Sequence, residues 1–371
     1  MKTKRLLFNS VVCIALFFAS IAQAKTWRVN NQSNYDGSTA FGENYGGTPS
    51  FPVFKEINDA VAYPNVTASD TLHIEGSTID YGDATITKRL VIIGPGYFLT
   101  ENSNVSNNTY DARIGSITFD TGSEFSQVIG MNVLINGSSL TGTIYLNVNG
   151  ITIKRCRIDR DIQFATQLSE IYILQNFFTN TNTNAFSLGV TSIFVPPQDV
   201  IFNNNICEKK LIWSNSNFLG TLLECNNNVF NGPANELNLE FNTGAFQNNI
   251  LRSPGITANI NNGTNNNVQF NTVSNSSVFQ NTTGNLWVPS MNLLFVDSGT
   301  TDGSYKLKTD PTYNQPGIDN AERGAFGGAV PTNRYNISGL GSIPVVYNVT
   351  TPGVAEPNTG LSVTIQARTN N

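Results

Sequence analysis

Short alternations of apolar and polar residues recur along most of this chain. "GTIYLNV" (142–148) and "ITIKRCRI" (151–158) are two of them, and they carry the period of a half-buried strand. Strong helix formers are scarce, while β-branched and aromatic residues are common. Asparagine-rich turns separate the alternations and nearly repeat one another: "FNNNICEK" (202–209), "CNNNVFNG" (225–232) and "FQNNILRS" (246–253). Aligned on one position, they form a column of Asn132, Cys156, Asn176, Asn205, Asn228, Asn249 and Asn271, spaced by 24, 20, 29, 23, 21 and 22 residues. Three positions earlier stand Ile129, Ile153, Ile173, Phe202, Cys225, Phe246 and Val268. Two positions later stand Leu134, Ile158, Phe178, Cys207, Phe230, Leu251 and Val273. Every flank is apolar or cysteine.

The period decides the architecture. Helical repeats need about 33–47 residues for two helices and a turn. Strands that recur every 20–24 residues instead predict an all-β, single-stranded parallel β-helix, its repeats stacked about 4.8 Å apart. Asparagine tolerates the backbone of a sharp corner, and its amide both donates and accepts. The column therefore reads as a structural ladder, with Cys156 a weak rung and Asn226 facing outward. The long interval before Asn205 implies a loop near 189–199, where two prolines bar a central strand.

A stack of this kind exposes apolar core at both ends and needs caps. "FPVFKEINDAVAYP" (51–64) predicts an amphipathic N-terminal capping helix with Phe54, Ile57, Ala60 and Val61 on one face, stopped at Pro64. "PVVYNVT" (344–350) and "LSVTIQA" (361–367) predict a C-terminal β extension. The organisation expected is a signal peptide at 1–24, an N-terminal segment with the helix at 25–68, the β-helix at 69–330 and the extension at 331–371. The first segment joins Lys2, Lys4 and Arg5 to a short apolar run and an Ala22-Gln23-Ala24 cleavage pattern. This predicts a secreted, periplasmic or cell-surface protein with no transmembrane segment once that peptide is removed.

Composition narrows the partners. The formal net charge is −5, and only 13% of residues are charged. It becomes more negative without the signal, which argues against nucleic acid. Asparagine is the excess, at 52 residues. Cys156, Cys207 and Cys225 are an odd set beyond the signal and read as buried free thiols in a monomeric protein.

Three stretches carry a family resemblance. "PVFKEINDAVAYP" followed by "DTLHIEGSTID", "ITKRLVIIGPGYFL" (86–99) and "YKLKTDPTYNQPGIDNAERGAFGG" (305–328) are similar to the opening, second coil and ending of secreted right-handed parallel β-helix proteins with a pectin-lyase-like fold, particularly those of Bacteroidota. The resemblance implies a right-handed β-helix. It leaves the activity open, because such scaffolds carry lyases, hydrolases, esterases and non-catalytic adhesins. The family's hydrolases combine several aspartates with a histidine, whereas this chain has one histidine, His73, far from any acid cluster. Its lyases use arginine or lysine as a base, after a cation or an arginine neutralises a uronate carboxylate.

"KRCRIDRDI" (154–162) is the one dense charge cluster in the repeats. Lys154, Arg155 and Arg157 are the candidate catalytic residues. Asp159 and Asp161 are the candidate calcium ligands, and no other cofactor is implied. On a continuous strand Arg155, Arg157, Asp159 and Asp161 would share one face. The competing reading pairs these charges on a solvated wall. Trp213, Trp287, Tyr145 and Tyr172 are candidates for stacking on sugar rings. The function expected is a non-catalytic β-helix that binds a polysaccharide or builds surface structure. The alternative is a polysaccharide lyase acting by β-elimination.

Overall fold

The computed structural model describes residues 24–32, 50–103, 105, 109–136, 140–165, 167–179, 184–188, 197–215, 218–261, 267–279, 283–341, 343–351 and 361–368. Most of the expected signal peptide (1–23) and most of the expected loop (189–196) lie outside them. The fold is all-β, with long parallel sheets. One short α-helix, Ile57–Ala62, and several 3-10 turns are the helical elements among the described residues. None is long and apolar enough to cross a membrane.

Three parallel sheets carry the repeats. The long sheet has twelve strands, among them Thr26–Val29, Thr71–Ile74, Val91–Ile93, Gln127–Ile129, Thr152–Lys154, Ile171–Leu174 and Val200–Asn203. A nine-stranded sheet contains two-residue strands from Arg113–Ile114 to Leu286–Trp287. A five-stranded sheet runs from Ala84–Ile86 to Phe186–Leu188. A repeat visits each in turn: Thr152–Lys154, Arg157–Ile158 and Asp161–Phe164, before Ile171–Leu174 returns to the long sheet. The inward position of the nine-stranded sheet reads Val133, Ile158, Phe178, Cys207, Phe230, Leu251 and Val273, all buried. Stacking these side chains forms one continuous apolar core. Cys156, Cys207 and Cys225, the cysteines among the described residues, are buried and form no disulfide, and burial pushes the Cys156 and Cys207 thiols up to about 12.

The corner that leads into each of seven strands of the nine-stranded sheet is made by one residue in the left-handed region. Arg155 (φ 54°), Gln175 (60°), Asn204 (57°), Asn227 (56°), Asn248 (58°), Phe270 (54°) and Gly284 (69°) occupy it in successive repeats. The next residue carries the buried amide. Asn205 Oδ1 accepts from the backbone N–H of Asn176 (2.8 Å) and from its Nδ2 (3.1 Å). Asn228 serves Asn205 in the same way, Asn249 serves Asn228, and Asn271 serves Asn249. Each Nδ2 also reaches a carbonyl in the previous repeat: Ile153, Ile173, Phe202, Cys225 and Phe246 in order, at 2.8–3.0 Å. Both donors and the acceptor of each buried amide are thus engaged. Asn285 extends the run by accepting from the Asn271 N–H (2.6 Å).

One rung and one neighbouring asparagine differ from the sequence reading. Asn132 is not in register with Cys156: it pairs with Arg157, and its amide donates to Asp111. The preceding glycine explains the slip. Gly130 (φ 68°) takes the left-handed corner, so Met131 occupies the rung position and Asn132, also buried, moves to the outward column of the sheet. Asn226 is half-buried rather than free on the outside, since its Oδ1 accepts from the Gln247 N–H (2.9 Å). At Cys156 the backbone N–H still donates to Asn176 Oδ1 (2.9 Å), while Sγ contacts the Lys154 and Val128 carbonyls at 3.3 and 3.7 Å.

The ends are also revised. The helix is six residues long, because Val53–Phe54 forms a strand against Arg28 and Val29. Ile57, Ala60 and Val61 are its buried face. Thr26–Val29 already belongs to the long sheet, so strand pairing begins well before residue 69. After Trp287 the chain does not close the last edge. Residues 288–341 run back as a strap along the nine-stranded sheet. Its outward column of Phe177, Ile206, Val229 and Ile250 is apolar and is buried under Met291, Leu294, Phe295, Tyr305, Ala325 and Tyr335. Buried polar groups pin the strap. Arg323 donates to the carbonyls of Asn271 and Gly284, both at 3.0 Å. Asp302 accepts from the Ser338 N–H (2.5 Å) and the Tyr335 hydroxyl (3.1 Å). Val345–Thr350 and Thr364–Arg368 then pair as an antiparallel hairpin, with the side chains of residues 347–350 and 364–367 exposed.

The strap turns an outward sheet face into core. Ile206→Ala should therefore lower the unfolding free energy by about 2–5 kcal/mol. Tyr172→Ala, at an exposed position of the long sheet, should change it by less than about 0.5 kcal/mol. Urea denaturation compares the two, and an equally small effect at Ile206 would contradict burial by the strap.

Candidate functional site

The stretch 154–162 does not form one strand. Lys154 ends a strand of the long sheet, Arg155 makes the left-handed corner, and Arg157 and Asp161 belong to the two other sheets. The corner overrides the simple alternation expected of the sequence. The Arg155 guanidinium turns under the strap, where Nε donates to Gln175 Oε1 (2.8 Å) and Nη1 to the Leu340 carbonyl (3.1 Å). Arg157 lies over the Phe98 ring, 5.3 Å from its centroid, and pairs with Asp159 at 3.1 Å. Lys154 is half-buried, and burial together with Arg155 lowers its pKa.

The two aspartates are buried and engaged. Asp159 Oδ1 accepts from the Thr179 hydroxyl (2.8 Å), and its Oδ2 accepts from the Ile135 N–H (3.3 Å). Asp161 Oδ1 accepts from the Thr143 hydroxyl (2.8 Å) in the adjacent strand. A third charged group completes the cluster. Lys209 is 1% exposed and donates from Nζ to the Asp159 carbonyl at 2.5 Å. Burial lowers its ammonium to about 8, against the opposing pull of Cys207, Asp159, Asp161 and Glu208. A cation supplied by the chain itself thus stands beside the candidate calcium ligands. Among the described residues no group of three or more His, Cys, Asp or Glu side chains is placed to hold a metal ion.

Lys209 is the member that sequence reading missed. The signal was present: Cys207 points inward, and the residue two positions on along an extended chain points the same way. Arg155 is separated from the acids by the corner, so the four predicted side chains do not line one groove.

The remaining candidates are dispersed. His73 is half-buried on the long sheet, near the Arg28–Glu75 ion pair, and burial lowers its pKa. Trp213 is buried against Phe164 and Phe186, with centroids 5.1 and 5.3 Å away, and presents no stacking face. Tyr145 is half-buried on the five-stranded sheet. Tyr172 is exposed on the long sheet, and Trp287, 53% exposed, ends the nine-stranded sheet. These four rings do not form a single platform.

No protein-family model, curated protein or solved structure matches the chain.

The buried lysine generates a pH dependence. Folded Lys209 loses its proton near pH 8, whereas the unfolded chain keeps it to about pH 10.4. Between these values the unfolded state binds more protons, so this group makes stability rise with pH. Denaturant titration of the wild type and Lys209→Met at about pH 7.5 and about pH 10 isolates the effect. The stability difference should move in favour of the wild type as pH rises, and a difference independent of pH would contradict a desolvated Lys209.

Proposed function

We propose that the chain is a secreted, single-stranded right-handed parallel β-helix whose role is non-catalytic glycan binding at or outside the cell surface. In this reading the short helix caps the first repeat, and the C-terminal hairpin is an extension beyond the stack. The parallel register through three sheets and the rung-by-rung amide bonds support the β-helix. Right-handedness rests on the resemblance of the opening, second-coil and closing stretches.

One observation carries the non-catalytic role. The carboxylates of the 154–162 cluster are held inside the wall by Thr143, Thr179, Arg157 and the Ile135 backbone. A metal-assisted lyase would instead need carboxylate oxygens directed at a cation in a groove. The glycan part of the reading rests on rings at the surface. Tyr172, Trp287, Tyr110 and Phe125 are exposed at separate places on a sparsely charged chain, and such rings offer apolar faces to a sugar.

The lyase alternative retains one supporting feature, the half-buried Lys154, whose proton affinity is lowered as a general base requires. Incubation with pectate, alginate and glycosaminoglycans, with and without calcium, separates the two readings. The expected result is retention in affinity electrophoresis on at least one polymer, without the ultraviolet absorbance of unsaturated uronic products. Product formation that is lost in Lys154→Ala would overturn the non-catalytic reading.

A further inference from the structure

The strap leaves a concave site at its outer edge. A surface pocket of about 310 Å³ is lined by Arg155, Lys306 and Arg334, with Phe326, Tyr335 and Thr332 among its walls. The chain has 21 lysines and arginines in 371 residues and a net charge of −5. Three cations around one pocket therefore run against its overall balance. They arrive from separate places: a left-handed corner of the repeats, the segment after the Gly303–Tyr305 turn, and the residue after the Pro331–Asn333 turn.

The geometry keeps two of these charges, Lys306 and Arg334, available. The buried Arg155 guanidinium is held by a glutamine oxygen and a backbone carbonyl. Arg334 Nε likewise donates to the Gly328 carbonyl (3.1 Å). Lys306 Nζ lies 5.8 Å from the Phe326 centroid. Neither Lys306 nor Arg334 forms an ion pair among the described residues. Glu322 feels both cations. Burial raises its carboxyl pKa, and Arg334 and Lys306 oppose that rise. This half-buried acid stands beside the two exposed cations, Lys306 and Arg334. Converging arginine and lysine donors match the oxygens of an oxyanion, and the half-buried Phe326 offers an apolar wall beside them.

We infer that this pocket binds an oxyanion, a carboxylate, sulfate or phosphate group, carried on a ring that lies along Phe326. The inference rests on the glycan-binding reading for the identity of the carrier, and it places the recognising charges on the strap. Lys306 and Arg334 are exposed, so removing them leaves the core intact. The Arg155 guanidinium forms the inner wall.

Calorimetric titration of the full chain tests this at low and at physiological ionic strength. The probes are sulfate, inorganic phosphate and acetate, followed by three oligosaccharides of equal length bearing sulfate, carboxylate or no charge. The wild type should bind an acidic oligosaccharide at least about tenfold more tightly than the neutral one, with the preference weakening as salt rises. The free anions show which oxyanion the pocket prefers. The double variant Lys306→Ala/Arg334→Ala should lose that preference, whereas Lys308→Ala, an exposed lysine that does not line the pocket, should keep it. Equal binding of acidic and neutral sugars, or a double variant that behaves as wild type, would overturn the inference while leaving glycan binding intact. Free anions that bind through Lys306 and Arg334 without any sugar binding would support the pocket and overturn the glycan reading. Absence of binding by every probe would overturn both.

Discussion

The buried asparagine amide at each corner is the interaction on which the rest depends. A two-residue strand in the nine-stranded sheet supplies little ladder pairing of its own. A left-handed residue must also turn the chain sharply before it. The amide compensates for both by engaging one backbone N–H, one carbonyl and a second amide in neighbouring repeats. Each rung is complete only when its neighbours are in place, so a register slip in one repeat orphans polar groups in the next. Leaving a buried group unpaired costs about 1–3 kcal/mol. That penalty, repeated along Asn176, Asn205, Asn228, Asn249 and Asn271, holds the three sheets in common register.

The strap solves a different problem. A sheet whose outward column is Phe177, Ile206, Val229 and Ile250 would expose a contiguous apolar stripe. Residues 288–341 cover it and bring buried polar groups of their own. Asp302 illustrates the balance. Burial raises its pKa, while donors from Thr300, Ser338 and Tyr335 lower it. Arg155, Gln175, Asn204 and Asn248, all at the left-handed corner, send side chains to the strap. The corner thus serves the stack on one side and the strap on the other. This juxtaposition also builds the cationic pocket, whose inner wall belongs to the repeats and whose outer wall belongs to the strap.

Much of this was legible in the sequence, for reasons that can be named. The period excluded helical repeats, and the flanking apolar positions located the inward faces from Ile153 onward, whereas Ile129 and Leu134 are each one residue out of register with Val128 and Val133. Asn132 was misread because an amide in the right interval is not proof of a corner, and Gly130 moved the corner by one residue. Val53–Phe54 was absorbed into a helix because Phe54 fits both an amphipathic face and a strand. The strap was missed although its signal was present: the residue after each ladder amide is apolar in four successive repeats, Phe177, Ile206, Val229 and Ile250. An outward position that stays apolar implies a cover. At the candidate site, alternation placed Arg155 and the aspartates on one face, because a single left-handed residue inside "KRCRIDRDI" leaves no mark in the hydrophobic pattern. The pocket joins Arg155 to Lys306 and Arg334, far apart in the chain, and could be found only after the strap was placed.

The ladder is tested most directly by comparing Asn228→Ala with Asn226→Ala. Asn228 is fully buried and bonds to Asn205, Asn249 and Phe202, whereas half-buried Asn226 supplies one acceptor to the Gln247 N–H. Unfolding free energy should fall by about 1–3 kcal/mol at Asn228 and by distinctly less at Asn226. Faster backbone hydrogen exchange at Asn205 should accompany only the first. Equal losses at the two positions, with Asn205 protection unchanged, would contradict the ladder as the element that holds the repeats in register.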